Sequence, residues 1–284
     1  MRRFRLALLL APAVGVVVVL FLGGLGLGLV QSLGYFPVIG MTDLTLRHYV
    51  AALTDREFTA SLALTAGVAT AVTAISTVLA IAAALCLRRD SRAARVVAVL
   101  FQLPLPVPHL VIAICVLLFF SQGGLIARLA YALGLIGEPA EFPVLVQDRN
   151  GIGIVLSYAW KEVPFVGLIV LALLREVGHD YEELARTLGA SPWQRLRYVI
   201  IPLIVPGVIS SSVIVFAYTF GAFEVPYLLG AQYPAALPVL AFRNYTDVDL
   251  RARPEALALS LIIALIITTL VFGYMWATRR LVRG

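Results

Sequence analysis

Lys161 and Glu162 stand side by side in an otherwise apolar run, GIGIVLSYAWKEVPFVGLIVLALL, just after Trp160 and just before Pro164. Charges in such a run are rare and mark a path for a solute or ion by default. Adjacent residues point in different directions on a helix, so the two are not each other's partner. Either one lines a cavity while the other meets a neighbouring helix, or both are buried groups held by neighbouring segments. His109 follows Pro104, Pro106 and Pro108 in another apolar run. Those prolines free backbone carbonyls and break the helix, which suits a cavity wall. His109 itself reads first as a satisfied packing residue and second as a ligand. Glu224 lies at the outer end of a further apolar run, within reach of water. The chemistry these residues suggest is passage, not turnover. The only lysine follows a tryptophan, so the chain lacks the Gly-Lys-Ser/Thr turn of a P-loop. Its histidines, at 48, 109 and 179, have no metal-ligand spacing, and no Gly-x-Ser-x-Gly turn occurs. No enzyme active site is expected.

The elements that position these groups are membrane spans. The 284 residues are 61% hydrophobic and 13% charged, against about 25% charge in ordinary soluble domains. Six segments approach the roughly 20 apolar residues needed to cross the hydrocarbon core. They run over 7–30, 58–87, 96–120, 151–174, 198–223 and 256–278, within one domain spanning 1–284. Arg2, Arg3 and Arg5 precede the first, but that run is longer than the roughly 7 to 15 residues of a signal's apolar region, and no small-residue cleavage site follows. It reads as a retained span. The two termini and the loops 88–95 and 175–197 carry 14 of the 22 basic residues, and the three opposite loops carry 7. By the positive-inside rule both termini face the cytoplasm, and the net charge of +6 follows without nucleic acid. Cys86 and Cys115 fall within spans and read as small packing residues. The outer segment 225–242, with Pro226, Pro234 and Pro238, is apolar but unsuited to a straight helix, so short half-helices are expected there.

Between the fourth and fifth spans lies the charged stretch YEELARTLGASPWQRLRYVIIPLIVPG, residues 181–207. Asp180 and Glu183 have capping-box spacing, which predicts a helix start at Asp180. Tyr181, Leu184 and Leu188 share one face of that helix, while Glu182, Ala185 and Arg186 lie elsewhere on it. Gly189 ends it through a left-handed turn, and Ala190 follows. Ser191 as N-cap, Pro192 at the first position and Gln194 three residues on then open a second helix. A helix pair in water between spans is built to touch something.

These residues resemble a known family: the membrane permease subunits of type I binding-protein-dependent ATP-binding cassette importers. That family carries a motif written Glu-Ala-Ala, three residues, Gly, nine residues, then Ile, one residue, Leu-Pro. Glu183, Leu184, Ala185 and Gly189 match its first part, and Val199, Ile201 and Pro202 its second, with Leu184, Val199 and Ile201 as apolar departures. The resemblance implies an all-α fold of six transmembrane helices in a bacterial cytoplasmic (inner) membrane, with both termini cytoplasmic. It implies a coupling loop over about 175–197 seated on an ABC ATPase dimer, where Glu183 pairs with a basic group and Gly189 permits the close turn. Other implied partners are a second permease, identical or homologous, an extracytoplasmic solute-binding protein, and membrane lipid. No cofactor is implied for this chain, since ATP and Mg would sit on the ATPase.

The stretches WKEVPF at 160–165 and FGAFEVPYLLG at 220–230 resemble the spermidine and putrescine, ferric iron and related permeases. That subgroup implies a polyamine or similar small cation, with Glu162 and Glu224 compatible with one; ferric iron, a phosphonate or thiamine stay open. A secondary transporter would explain the spans and buried charges but not the motif, and an exporter would carry longer cytoplasmic helices.

Overall fold

The computed structural model describes the backbone of residues 2–88, 91–176 and 178–283, and the side chains of 9–88, 91–175 and 181–276. In chain order the helices are α1 (Arg2–Ser32), α2 (Arg47–Thr54), α3 (Arg56–Leu87), α4 (Arg92–Gln102), α5 (His109–Phe120), α6 (Leu125–Ala132) and α7 (Ile152–Glu176). They continue with α8 (Gly178–Thr187), α9 (Pro192–Arg195), α10 (Ile201–Gly221), α11 (Glu224–Leu229), α12 (Leu237–Tyr245) and α13 (Arg253–Arg283). Among the described residues the only β pairing is one isolated bridge, between Phe36 and Met41. The all-helical expectation holds.

Among the described residues six stretches are long and apolar enough to cross a membrane: Leu9–Ser32, Arg56–Leu87, His109–Ala132, Ile152–Arg175, Pro192–Gly221 and Leu250–Trp276. Five lie within a few residues of the sequence-based spans. The third does not. The run 96–120 is two helices, because α4 stops at Gln102 and α5 starts at His109, and the stretch able to cross shifts to α5 and α6. Pro104, Pro106 and Pro108 are the reason. Each lacks an N–H and restricts the residue before it, so residues 103–108 fold as successive turns, with Leu105 N–H on Gln102 O and Val107 N–H on Pro104 O. α4 is a short helix with its own cap, Ser91 Oγ accepting from Ala94 N–H at 3.1 Å.

Contacts gather the chain into two units. The first comprises Met1–Thr59 and Leu237–Leu265. Within it Ser32 Oγ meets the Tyr49 hydroxyl at 2.7 Å, and Arg243 bonds Glu57 at 2.6 Å. The second comprises Ala60–Ala236 and Ile266–Gly284. Its core is a layer of small and branched side chains, among them Val72, Ala80, Val166, Val170, Ile204 and Val215. α7 is the central member, packed by α4, α5, α10 and α11. Gly207 lets α10 approach closely, since a Cβ there would run into Leu173 Cδ1 of α7. Thr77 Oγ1 and Ser212 Oγ, 2.9 Å apart, tie α3 to α10. The half-helices expected in 225–242 appear as α11 and α12, with Val225, Leu229, Leu237 and Leu240 buried.

His48, in α2 of the first unit, is buried and its Nε2 has no hydrogen-bond partner. Burial, then the neighbouring Arg47 charge, lowers its pKa from the ordinary 6.5. The folded chain therefore binds this proton less readily than the unfolded chain. The stability contributed by the neutral ring is fully present above about pH 6.5 and is lost as pH falls through the lowered folded value. Thermal unfolding in detergent should show a midpoint that falls on acidification below about pH 6.5, with a shallower slope in His48→Gln. Identical slopes in the two proteins would remove His48 from the explanation.

Candidate functional site

The helix pair between α7 and α10 forms as its sequence dictates, with one difference at its start. α8 begins at Gly178, so Asp180 is already helical backbone instead of the cap; its side chain lies outside the described residues. At the other end Gly189 has φ +83°. Its N–H bonds Arg186 O and the Ala190 N–H bonds Ala185 O, both at 3.0 Å, the paired pattern that closes a helix through a left-handed glycine. Across the turn the expected capping box is complete. Ser191 N–H bonds Gln194 Oε1 at 2.8 Å, and Gln194 N–H bonds Ser191 Oγ at 3.3 Å, with Pro192 at the first position of α9. Nothing lies within 4 Å of a Cβ built on Gly189, so substitution there meets backbone strain alone. Gly189→Val should therefore cost about 1–2 kcal/mol and Gly189→Asn much less. Limited proteolysis of the loop would show it, and equal cleavage rates for both variants would refute it.

One carboxylate fastens this pair. Glu182 receives Arg88 Nη1 at 2.6 Å and Nη2 at 3.3 Å, from the end of α3, and Arg195 Nη1 at 3.3 Å from α9. All three side chains are less than a third exposed, so three elements meet at one group, with two-pronged guanidinium geometry from Arg88. Glu183 instead lies on the exposed side. So do Tyr181, Leu184 and Leu188, which are 54%, 59% and 79% exposed, and Trp193 at 64%. Beside them a groove is lined by Ala185, Leu188, Gly189, Ala190, Gln194, Tyr198 and Val199. Next comes a wide helical turn over Leu196–Ile200. It contains the Tyr198 carbonyl that Pro202, lacking an N–H, cannot satisfy.

The second cluster lies where α7 meets the proline-broken segment. Glu162, 6% exposed, places Oε1 3.2 Å from His109 Nε2. His109 Nδ1 is 3.1 Å from the Tyr218 hydroxyl of α10. The rings of Tyr158, His109 and Tyr218 pack together, with centroids 4.8 to 6.0 Å apart. Lys161 reaches the same junction and donates to Val107 O at 2.6 Å. Lys161 and Glu162 thus have separate partners two residues apart in sequence. Trp160 is 64% exposed, and Glu224 is exposed at the first turn of α11. Pro164 stays within α7 and withholds a donor from the Trp160 carbonyl. Cys86 and Cys115 are free and exposed on the chain, not packed inside it as their types suggest. Among the described residues no group of His, Cys, Asp or Glu could hold a metal.

Sequence reasoning missed Arg88, Arg195, Val107, Tyr158 and Tyr218. Arg88 is 94 residues from Glu182, and Tyr218 is 109 from His109, so no local pattern links them. The polar hydroxyls of two tyrosines inside apolar runs were the only available signal.

Six crossing stretches, with a capped helix pair between the fourth and fifth, define a membrane transport subunit of the type I ABC importer permease fold. Residues 76–284 match the family described as "Binding-protein-dependent transport system inner membrane component", and the chain belongs to that family. The Molybdenum transport system permease protein ModB of Mycobacterium bovis is 30% identical over 231 residues, covering 80% of this chain and 82% of the relative. The Sulfate transport system permease protein CysT of Escherichia coli is 26% identical over 175 residues, covering 61% and 59%. In fold, the chain is similar to a bacterial ABC transporter involved in the import of the acidic polysaccharide alginate. That match has a TM-score of 0.81 at 20% identity, over 98% of this chain and 96% of the other. Permeases of this family are non-catalytic subunits.

Proposed function

We propose that this chain is the membrane subunit of an ATP-driven importer for a small tetrahedral oxyanion of the molybdate or sulfate kind, in a bacterial inner membrane. The observation that carries the substrate class is the similarity to the molybdenum permease over four fifths of both chains. The site's electrostatics support it. Of the two carboxylates Glu162 is buried against His109, which leaves only Glu224, exposed at the start of α11, whereas Lys161, within α7, is partly exposed and meets only a carbonyl. The spermidine and putrescine expectation rested on short stretches and two glutamates. The relatives do not carry it, since the named ones handle molybdenum, sulfate and trehalose.

In this reading the exposed apolar face of α8 seats on a separate ABC ATPase, which binds ATP and Mg. Apolar side chains at 54% to 79% exposure on a charged helix mark a contact surface. Closure of the ATPase pair pulls on α8, and Glu182 passes the displacement to α3 and α9. A ligand that binds one of two states better shifts the pair between inward-facing and outward-facing forms. A second permease, identical or homologous, completes the path, and an extracytoplasmic binding protein delivers the solute. His109, Trp160, Lys161, Glu162 and Glu224 belong to the wall of that path.

The test is to purify the tagged protein gently from its host, identify the chains that accompany it, and measure ATP-driven uptake of molybdate, sulfate and putrescine in proteoliposomes with the binding protein. Molybdate or sulfate accumulation with an ATPase present supports the reading. Putrescine accumulation alone overturns the substrate class, and a stable assembly lacking any ATPase overturns the importer.

A further inference from the structure

We infer that Lys161 is the group that reads the anion inside the membrane, and that its bond to Val107 is a resting contact which the anion displaces. The inference rests on the oxyanion reading above and adds the residue and the event.

Charge comes first. Lys161 lies ten residues into α7, and among the described residues it has no carboxylate partner; its one bond is to the Val107 carbonyl. The adjacent Glu162 is not available to it, being held by His109 on a different face of the helix. A cation in a span pairs with another charge, bonds a backbone carbonyl or faces a water-filled cavity; Lys161 has the carbonyl alone and stays partly exposed. The ammonium has three donors and the carbonyl occupies one.

Position comes second. Val107 immediately precedes the Pro108 N-cap of α5, where no side chain caps the helix. The amide end of α5 and the ammonium therefore meet at one junction, with the Glu162 carboxyl beside them turned to the His109 ring. Neither feature alone would make a site; the lysine, aimed at that junction from another helix, supplies the second.

Residue type comes third. Of the 22 basic residues this is the only lysine. Arginine's planar fork suits fixed two-pronged pairing, as at Arg88. Lysine is a compact point charge on a flexible stem, able to leave a carbonyl for an ion without losing a matched geometry.

The mechanical consequence lies in the hinge. Segment 103–108 is tethered to α7 at two neighbouring points, Lys161 to Val107 O and Glu162 to His109. An anion that takes the ammonium releases the first and leaves the second. Solute arrival then loosens the wall of its own path at a proline break, the part of the wall with fewest backbone bonds to lose.

The test uses the whole complex in proteoliposomes, with molybdate as probe and with Lys161→Gln and Lys161→Arg. Glutamine keeps an N–H donor for Val107 O but removes the charge. A purely structural tether predicts that Lys161→Gln works, whereas anion reading predicts that its molybdate uptake falls about tenfold or more, the scale of one charge-assisted hydrogen bond. Lys161→Arg keeps the charge but not the compact, mobile ammonium, so its uptake should fall between that of the unaltered complex and that of Lys161→Gln. Uptake by Lys161→Gln within about twofold of the unaltered complex overturns this assignment and leaves the importer reading intact. Failure of Lys161→Gln to assemble with its partner chains makes the ammonium structural and overturns it too. An unaltered complex that takes up putrescine and no molybdate or sulfate overturns the substrate class and this inference together.

Discussion

Glu182→Lys should abolish ATP-driven uptake while the protein still inserts into the membrane. The carboxylate holds Arg88 and Arg195 at once, so reversal places three cations where one anion balanced two. Each charge-assisted hydrogen bond of this kind contributes about 1.5–3 kcal/mol. Their loss, together with like-charge repulsion, exceeds what a two-helix loop can absorb. α8 would then detach from α3 and α9 without unfolding the spans, whose cores lie elsewhere. Glu182→Ala should act in the same direction with a smaller effect, and Arg88→Glu in the Glu182→Lys background should restore part of the function by rebuilding one pair in reverse. Uptake and thermal unfolding, measured as a cycle on the unaltered protein, Glu182→Lys, Arg88→Glu and the double variant, give the coupling. Additive effects of the two substitutions would show that the pair transmits nothing.

The loop and the spans were legible in the sequence to different depths. Ser191, Pro192 and Gln194 specify a helix start through contacts three residues apart, and Gly189 specifies its predecessor's end through its own backbone freedom. Such features survive any tertiary setting, and both formed as read. The spans were legible because apolar length alone decides them. The third failed because hydropathy ignores hydrogen bonding. Residues 96–120 are apolar throughout, yet three alternate prolines remove the donors that a continuous helix needs. The prolines themselves mark a break; what hydropathy cannot show is that the break ends one helix and moves the crossing onto α5 and α6.

Pairings across the fold were not legible. The adjacency of Lys161 and Glu162 excluded only their bonding to each other. That both reach residues 107 and 109 depends on the packing of α5 against α7. Likewise the motif draws attention to Glu183, while the group that fastens the loop internally is its neighbour Glu182. The two residues lie on different faces of α8, Glu182 half-buried and Glu183 exposed. The substrate was the least legible, because two glutamates are compatible with a cation without specifying one, and packing leaves Glu224 exposed and Glu162 on His109.

His109→Leu tests Glu162, the occupied one, and should be clearly destabilising. Glu162 is 6% exposed, and His109 is the hydrogen-bonding partner of its Oε1. Removing His109 leaves a buried carboxyl oxygen without its hydrogen-bonding partner in a medium that solvates it poorly, a loss of about 1–3 kcal/mol. Replacing both members with apolar groups of similar volume is often neutral. His109→Leu combined with Glu162→Leu should therefore unfold at a higher temperature than His109→Leu alone. Glu162→Gln, which keeps a hydrogen-bonding amide on the ring and removes the charge, should lose no more than about 1 kcal/mol. The Tyr218 hydroxyl on the other ring nitrogen gives an internal control: Tyr218→Phe removes a neutral hydrogen bond at a more exposed position, and its midpoint should fall by far less than that of His109→Leu. If the double variant is no more stable than His109→Leu, the histidine acts through its ring packing with Tyr158 and Tyr218, and the buried charge is not what makes it necessary.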